Sequence, residues 1–368
     1  MIAAAALTLT AWLYLVLARG GFWRFRPPQW LRPSALLPRV AVIIPARNES
    51  ALIEGAVRSL AAQNYPGAFH IFVVDDSSDD GTAGAAARAA GPEVLTVLHA
   101  RPLPRGWTGK VWAMSEGVRG AGPFQPDAFL FTDADIVHPP DNLARLAGQP
   151  CDLVSLMALL HCHSPAEKVL IPAFVFFFFM LYPPAWIRDP RRGTAGAAGG
   201  CMLVRRRALE RAGGLEAIRG EVIDDCALAR AVKRSGGTLW LGLAAEMRSV
   251  RGYGSFAQIG RMISRSAFAQ LNHSALLLAG ALAGMALVYM APPVLALAAA
   301  GPAAALGAAA WLLMTLAYLP ALRFYRRSGL WALALPAVAA FYAAATVHSA
   351  VSYWRGRGGL WKGRIQDA

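Results

Sequence analysis

Polar and apolar positions sort this chain into three blocks. Ile2 to Ala18 is a run of 17 residues without a charge, closed by Arg19. From residue 39 to about 265, short apolar runs alternate with amphipathic ones. Then Ser274 to Leu322 gives 49 uncharged residues, and Leu330 to Tyr353 is a further apolar stretch. In the middle block, Val40–Ala46, His70–Asp76, Val94–His99, Ala128–Asp133, Leu153–Leu159, Cys201–Val204 and Thr238–Leu243 predict strands. Several are continuous Val/Ile/Leu/Phe runs, the pattern of strands covered on both faces. Ser50–Gln63, Thr82–Ala90, Lys110–Gly117 and Asp224–Arg234 predict helices, with Asn48 or Ser50 as N-cap of the first and Thr82 of the second. The alternation predicts an α/β domain with a mainly parallel sheet. Ligands of such sheets bind beyond the C-terminal strand ends.

The outer blocks read as membrane segments. Seventeen residues is at the short limit for a span. With nothing basic ahead of it, the run at 1–20 reads as an anchor rather than a signal peptide. Arg19, Arg24, Arg26, Arg32 and Arg39 follow it, which predicts a cytoplasmic middle domain. The 274–353 region holds two spans, with Pro292-Pro293 and Gly301-Pro302 at or near the turn, then Arg323, Arg326 and Arg327, then a last apolar segment. If every segment crosses, the basic tail 354–368 emerges outside, against the positive-inside rule; either the last segment is interfacial or the rule yields here. The Phe-rich stretch Val169 to Ile187 lies inside the polar middle and reads as an interfacial or acceptor-facing element.

Composition sharpens this. Only 16% of residues are charged, against about a quarter in soluble domains, which excludes a disordered chain, a secreted disulfide scaffold and an ordinary cytosolic enzyme. A net charge of +14 raises the question of nucleic acid. However, 21 of the 22 acids lie between Glu49 and Glu246, and the 120 residues from Met247 to Gln366 carry none, while holding Arg248, Arg251, Arg261 and Arg265 among others. The basic excess brackets apolar segments, where anionic headgroups explain it, so no nucleic-acid partner is expected. Cys151, Cys162, Cys201 and Cys226 lack CxxC spacing and read as buried free thiols. His161-Cys162-His163 lacks partners at zinc spacing.

The acids sit where a ligand would bind. Strand His70–Val74 runs into Asp75-Asp76-Ser77-Ser78-Asp79-Asp80-Gly81-Thr82, a turn-forming sequence that lacks the alternating acids and final Glu of an EF-hand. After Ala128–Phe131 comes Thr132-Asp133-Ala134-Asp135. Two carboxylates at i and i+2 beyond a buried strand suit one Mg²⁺ or Mn²⁺ bridging a diphosphate. Asp224-Asp225 opens a helix ending in Lys233 and Arg234. The pair either complements the helix dipole or raises one carboxyl's pKa to make a general base. Pro45-Ala46-Arg47-Asn48-Glu49 opens a helix with free N–H groups, and Lys110 supplies a cation in a segment that is not a Walker loop. Gly199-Gly200 lets backbone pass close to a substrate or another chain.

Together these pieces resemble the family 2 glycosyltransferases of GT-A (Rossmann-like) fold: Val42–Glu49, Val73–Thr82, Asp133-Ala134-Asp135, Gly199-Gly200 and Asp224–Leu228 follow the family's order over about 190 residues. The resemblance implies an inverting, metal-dependent transferase domain over 39–265. Pro45, Glu49 and Asp76 would line the nucleotide site, and Asp133 and Asp135 would hold nucleotide and metal. Asp225, with Asp224 beside it, would be the catalytic base, and Gly199 and Gly200 would lie on the acceptor side. Processive members carry a QxxRW-type motif. The nearest match here, Arg261–Ser266, keeps Arg265 as a diphosphate-facing cation but has Ser266 for Trp and no Gln three residues before Arg265, which puts processive synthesis in doubt. The Phe-rich segment, Ile223–Arg230, Arg323–Arg327 and Trp361–Arg364 are similar to bacterial hopene-associated membrane glycosyltransferases, and more distantly to ceramide and carotenoid ones.

The expected partners are therefore a nucleotide-diphosphate sugar, a lipid acceptor such as a hopanoid and the bacterial inner membrane, with Mg²⁺ or Mn²⁺ as cofactor. The alternatives are a polyprenyl-phosphate or other lipid or polysaccharide transferase, and, in another class, a nonenzymatic nucleotide-binding membrane protein. A dinucleotide-dependent oxidoreductase is set aside because GxGxxG is absent after the first strand.

Overall fold

The computed structural model describes residues 1–28, 30 and 37–358. The described residues form two compact units, one from Arg26–His161 and Trp186–Arg251, the other from Met1–Phe25, Cys162–Ala185 and 252–358. The segments Cys162–Ala185 and 252–265, expected within the 39–265 domain, thus cluster with the terminal helices. The tail beyond residue 358, with Trp361–Arg364, lies outside the described residues, as does Arg32.

The first unit holds an eight-stranded sheet: β1 (Val40–Ala46), β2 (Phe69–Asp75), β3 (Leu95–His99), β4 (Ala128–Thr132), β5 (Ile136–Val137), β6 (Leu153–Leu159), β7 (Cys201–Arg205) and β8 (Leu239–Ser249). Their spatial order is β3-β2-β1-β4-β7-β6-β8-β5. The pairs β1–β2, β1–β4, β2–β3 and β6–β8 are parallel. β7 runs antiparallel to both β4 and β6, and β5 antiparallel to β8. The sheet is mixed: four of its seven pairings are parallel, and β7 interrupts them because it is entered from an extended loop and not from a crossover helix. Every residue of β1 and β4 is buried, so their continuous apolar runs are covered on both faces.

Helix starts differ from the sequence expectation. The first helix spans Ile53–Ala61 with no side-chain cap. Asn48 and Ser50 are engaged elsewhere: the Asn48 N–H donates to Ser78 Oγ at 3.0 Å, and the Ser50 N–H to Asp80 Oδ2 at 3.0 Å. Gly81, at φ 85°, precedes the helix Thr82–Ala87, and Thr82 Oγ1 accepts the Glu49 N–H at 2.8 Å instead of capping. The acidic turn is consumed in joining the loops after β1 and β2.

The second unit is helical. Pro165–Arg188, Ala275–Ala298, Gly301–Phe324 and Gly329–Trp354 are long and apolar enough to cross a membrane, while Ile2–Leu17 is shorter. The turn between the second and third falls at Ala299-Ala300, with Gly301-Pro302 opening the next helix; Pro292-Pro293 sits inside a span. The Phe-rich segment, expected to be an interfacial or acceptor-facing element, is a helix over Pro165–Leu181 begun by a Ser164/Glu167 capping box. Its Phe176 packs on Phe22 and Tyr318 with ring centres 5.3 and 5.1 Å apart, and Phe177 on Tyr289 and Tyr342. Among the thiols, Cys201 and Cys226 are buried and Cys151 and Cys162 half-buried.

Proline inside a span has a cost that the N-terminal helix offsets. Pro292 has no N–H for the carbonyl four residues earlier, Val288. The helix winds into a π turn over Ala286–Met290, and Trp12 Nε1 donates to Val288 O at 2.7 Å while Thr8 Oγ1 donates to Leu287 O at 2.7 Å. An apolar surround makes such a partner obligatory. Trp12→Phe keeps the packing and removes the donor; it is expected to lower unfolding stability in detergent by about 1–3 kcal/mol, read from thermal or denaturant unfolding, with Leu13→Phe on the exposed side of the same helix as the neutral control.

Candidate active site

Register decides which loops meet. Thr132 at the end of β4 pairs with Cys201 at the start of β7, so Gly199-Gly200 enters the sheet beside Asp133. Ile136 of β5 pairs with Ser249 of β8, which brings Asp135 to Ser249 and Arg251. The helix Gly109–Gly120 opens on the same side, and Thr108 ahead of it is held by its N–H donating to Arg219 O at 2.8 Å.

Lys110 is the hub. Its ammonium lies 2.9 Å from Asp133 Oδ1 and 3.3 Å from Asp224 Oδ2. Burial works to lower its pKa, but Asp133, Asp224 and Asp225 hold it above the ordinary lysine value. Asp225 is the next residue on the helix Asp224–Arg234. Its Oδ2 accepts the Gly199 N–H at 2.7 Å and its Oδ1 accepts its neighbour Cys226's N–H at 2.7 Å. Burial, and then the adjacent Asp224 charge, raise its pKa to about 6, against the opposing pull of Lys110 and the two N–H donors. A Cβ on Gly199 would lie 3.2 Å from Asp225 Oδ2 and 3.3 Å from Lys110 Nζ and would crowd both groups. A half-exposed carboxylate of that pKa is suited to accept a proton near neutral pH.

A second cluster stands at the ends of β1, β4 and β8. Arg251 Nη2 lies 2.6 and 2.7 Å from the two Glu49 oxygens and 3.3 Å from Asp135 Oδ1, and the Ser249 hydroxyl donates to Asp135 Oδ2. Burial raises the Asp135 pKa, with Arg251 lowering it and Asp133 and Glu49 adding to it. In sequence Arg251 belongs to the basic excess that brackets the apolar segments and Ser249 carries no signal; the structure instead sets both at a strand end, Arg251 on Glu49 and Ser249 on Asp135. A pairing of β5 with β8 leaves no periodic signature in two residues, so nothing local announced it.

The remaining residues fall as follows. Pro45 is buried in β1 level with Val74. Asp76 is buried, with Arg47 Nη1 at 3.8 Å from its Oδ2 and also donating to its carbonyl. Gly200 presents its carbonyl to Thr132 Oγ1, which donates at 2.8 Å. Because that hydroxyl proton is spent, His138 Nε2–H donates to Thr132 Oγ1 at 3.0 Å and Nδ1 accepts from Asn142 Nδ2 at 2.8 Å. Burial holds His138 neutral, down to about 3, so this chain of bonds keeps one direction and fixes the strand end ahead of Asp133. Arg265 follows the helix Phe256–Ser264 in the helical unit.

Comparison with known proteins gives the following. Residues 38–268 match the family described as glycosyltransferase like family 2. An N-acetylglucosaminyltransferase of Rhizobium leguminosarum bv. viciae is 34% identical over 177 residues, 47% of this chain and 40% of that protein. An undecaprenyl-phosphate 4-deoxy-4-formamido-L-arabinose transferase of Sodalis glossinidius (strain morsitans) is 33% identical over 126 residues, 32% of this chain and 36% of that protein. The chain thus matches about two fifths of the length of these curated relatives. Among solved structures, the mannosyltransferase PcManGT from Pyrobaculum calidifontis, in complex with GDP-Man and Mn²⁺, superimposes with TM-score 0.58 at 24% identity, over 95% of this chain and 98% of that one; the likeness establishes the GT-A fold.

The electrostatics make a directional prediction. The Asp225 carboxyl, followed by ¹³C-aspartate titration, should ionise near pH 6. Asp224→Asn removes a like charge and should lower that midpoint, whereas Lys110→Met removes a cation and should raise it.

Proposed function

This chain belongs to the glycosyltransferase like family 2, and from that premise we propose that it is an inverting transferase moving a sugar from a nucleotide diphosphate to the hydroxyl of a membrane lipid. The observation that carries this is Lys110 bridging Asp133 and Asp224 beside an Asp225 whose pKa is raised to about 6. The acceptor oxygen attacks the anomeric carbon, the bond from that carbon to the diphosphate oxygen breaks, and Asp225 takes the hydroxyl proton. Lys110 faces the departing diphosphate and stabilises charge where it develops. Asp76, Pro45 and Glu49 are assigned to the nucleotide, Arg265 to the diphosphate, and Gly199-Gly200 to the acceptor side.

Asp133 and Asp135 would hold a divalent cation. Among the described residues no group of three or more His, Cys, Asp or Glu is arranged to enclose a metal. The pair fits Mg²⁺ or Mn²⁺ in the manner of sites completed by substrate phosphates, where one or two carboxylates suffice. When bound, the ion supplies further neutralisation of the leaving diphosphate. The Mn²⁺ named with the mannosyltransferase neighbour makes that ion the first to test.

The lipid acceptor and a location in the bacterial inner membrane, with the sheet unit on the cytoplasmic side, are supported by four helices of spanning length. A hopanoid or related isoprenoid alcohol is the acceptor we favour. The match to an undecaprenyl-phosphate transferase favours a second reading, a polyprenyl-phosphate acceptor. Chemistry separates the two. A phosphate monoester, with a second pKa of about 6, already presents an anionic oxygen and has little need of a base, whereas an alcohol needs one.

The test is incorporation of labelled nucleotide sugar into extracted membrane lipids by the purified protein. For an alcohol acceptor, Asp225→Asn should reduce turnover at least about 100-fold with little change in donor KM, and chelation of divalent ions should abolish transfer. Transfer by Asp225→Asn at the wild-type rate would remove the proposed base, and undiminished transfer to a polyprenyl phosphate by that variant would favour the second reading.

A further inference from the structure

Lys233 lies at the far end of the helix that begins with Asp224-Asp225, and its contacts are unusual for a helix-terminal lysine. Its Nζ donates to four backbone carbonyls: Trp186 at 3.4 Å, Ile187 at 2.9 Å, Asp189 at 3.1 Å and Thr194 at 2.8 Å. An ammonium has three protons, so four carbonyls share them. All four belong to one segment, which continues to Gly199. Lysine in the last turn is ordinarily explained by the helix dipole, but that needs no such enclosure. Lys233 is half-buried, and its desolvation lowers the pKa against the pull of Asp189.

Beyond Thr194 the segment stays tied to the same helix and to the sheet. Cys226 Sγ donates to Ala197 O at 3.7 Å. Ser155 Oγ accepts the Ala198 N–H at 2.8 Å and donates to Ala198 O at 3.2 Å. The Gly199 N–H then reaches Asp225 Oδ2 at 2.7 Å. The strap therefore runs antiparallel to the helix, from Lys233 at its C-terminal end to Asp225 at its start. Eight residues of helix separate those two by about 12 Å, and five residues from Thr194 to Gly199 can span at most about 17 Å. Most of that reach, about 12 of 17 Å, is taken up, so where the strap is fastened at Thr194 bears on where Gly199 meets Asp225.

We propose that Lys233 is a positioning residue: by gathering the carbonyls of Trp186, Ile187, Asp189 and Thr194 it fastens the strap so that the Gly199 N–H stays on Asp225 and keeps that carboxylate in one orientation. The catalytic consequence rests on the reading of Asp225 as the base; the anchoring does not. Strap residues Arg188, Arg191 and Arg192 are exposed, which gives a readout independent of activity. Cleavage by trypsin of a folded protein reports local opening.

The experiment compares full-length wild type, Lys233→Met, Lys233→Arg and Asp225→Asn in detergent. It measures the rate of tryptic cleavage at Arg192–Gly193 by mass spectrometry, along with kcat, donor KM and the acid limb of the kcat profile. Lys233→Met should cut about tenfold faster at that bond and lose about tenfold or more in kcat. Its donor KM should be unchanged, which also reports that the sheet unit is folded, and its acid limb should move upward as the Gly199 donor is lost. Lys233→Arg, which keeps charge and donors, should restore part of both effects. Wild-type cleavage in Lys233→Met overturns the anchoring. Faster cleavage with wild-type kcat and acid limb overturns the positioning of the base. Full turnover in Asp225→Asn together with a trypsin-sensitive Lys233→Met overturns the base reading and leaves the anchoring standing.

Discussion

Carboxylates from separate elements cannot gather at one edge of a sheet unless a cation stands between them, and Lys110 is that cation. Asp133 arrives at the end of β4, and Asp224 and Asp225 at the start of a helix almost a hundred residues later. Left alone, such groups would repel one another or take up protons. The ammonium stands 2.9 Å from Asp133 and 3.3 Å from Asp224 and offsets their mutual repulsion. Asp225, half-buried and next to a like charge, is the member displaced toward neutrality. The two ion pairs of Lys110 thereby assemble the group beside one carboxyl, Asp225, whose affinity for a proton is raised. Arg251 stands likewise between Glu49 and Asp135 at the neighbouring strand ends.

Much of this was legible in the sequence, and the reasons are local. β1, β6 and the helix Asp224–Arg234 fall at their expected residues, because continuous apolar runs and a helix with acids first and bases last are written in adjacent positions. The glycines before β7 and the acids after β2 and β4 were likewise visible, since strand ends are marked by abrupt changes from apolar to polar. What escaped was set by pairing over distance. Asn48, Ser50 and Thr82 have capping side chains, but the loops after β1 and β2 claim them for each other. The antiparallel insertion of β7 follows from the loop that feeds it, which has no hydrophobic period to read. Arg251, 202 residues from Glu49, was indistinguishable in sequence from cations that meet headgroups.

The helical unit shows the same distinction. Charge-free length identified its long helices. Whether a proline pair ends a span or lies within it depended on a donor from elsewhere in the chain: Trp12 and Thr8 satisfy the carbonyls that the Pro292 turn exposes, so the breaker is accommodated and the turn falls at Ala299-Ala300. Aromatic residues of the Phe-rich helix packing against tyrosines explain why that segment belongs with these helices, although in sequence it interrupts the polar middle.

The central claim, that Asp225 deprotonates the acceptor in a single displacement, is tested most directly by the stereochemistry of transfer. The anomeric configuration of the glycolipid product, determined by NMR from a donor of known configuration, should be inverted. Retention of the donor's configuration would require two displacements or an internal return and would contradict the account.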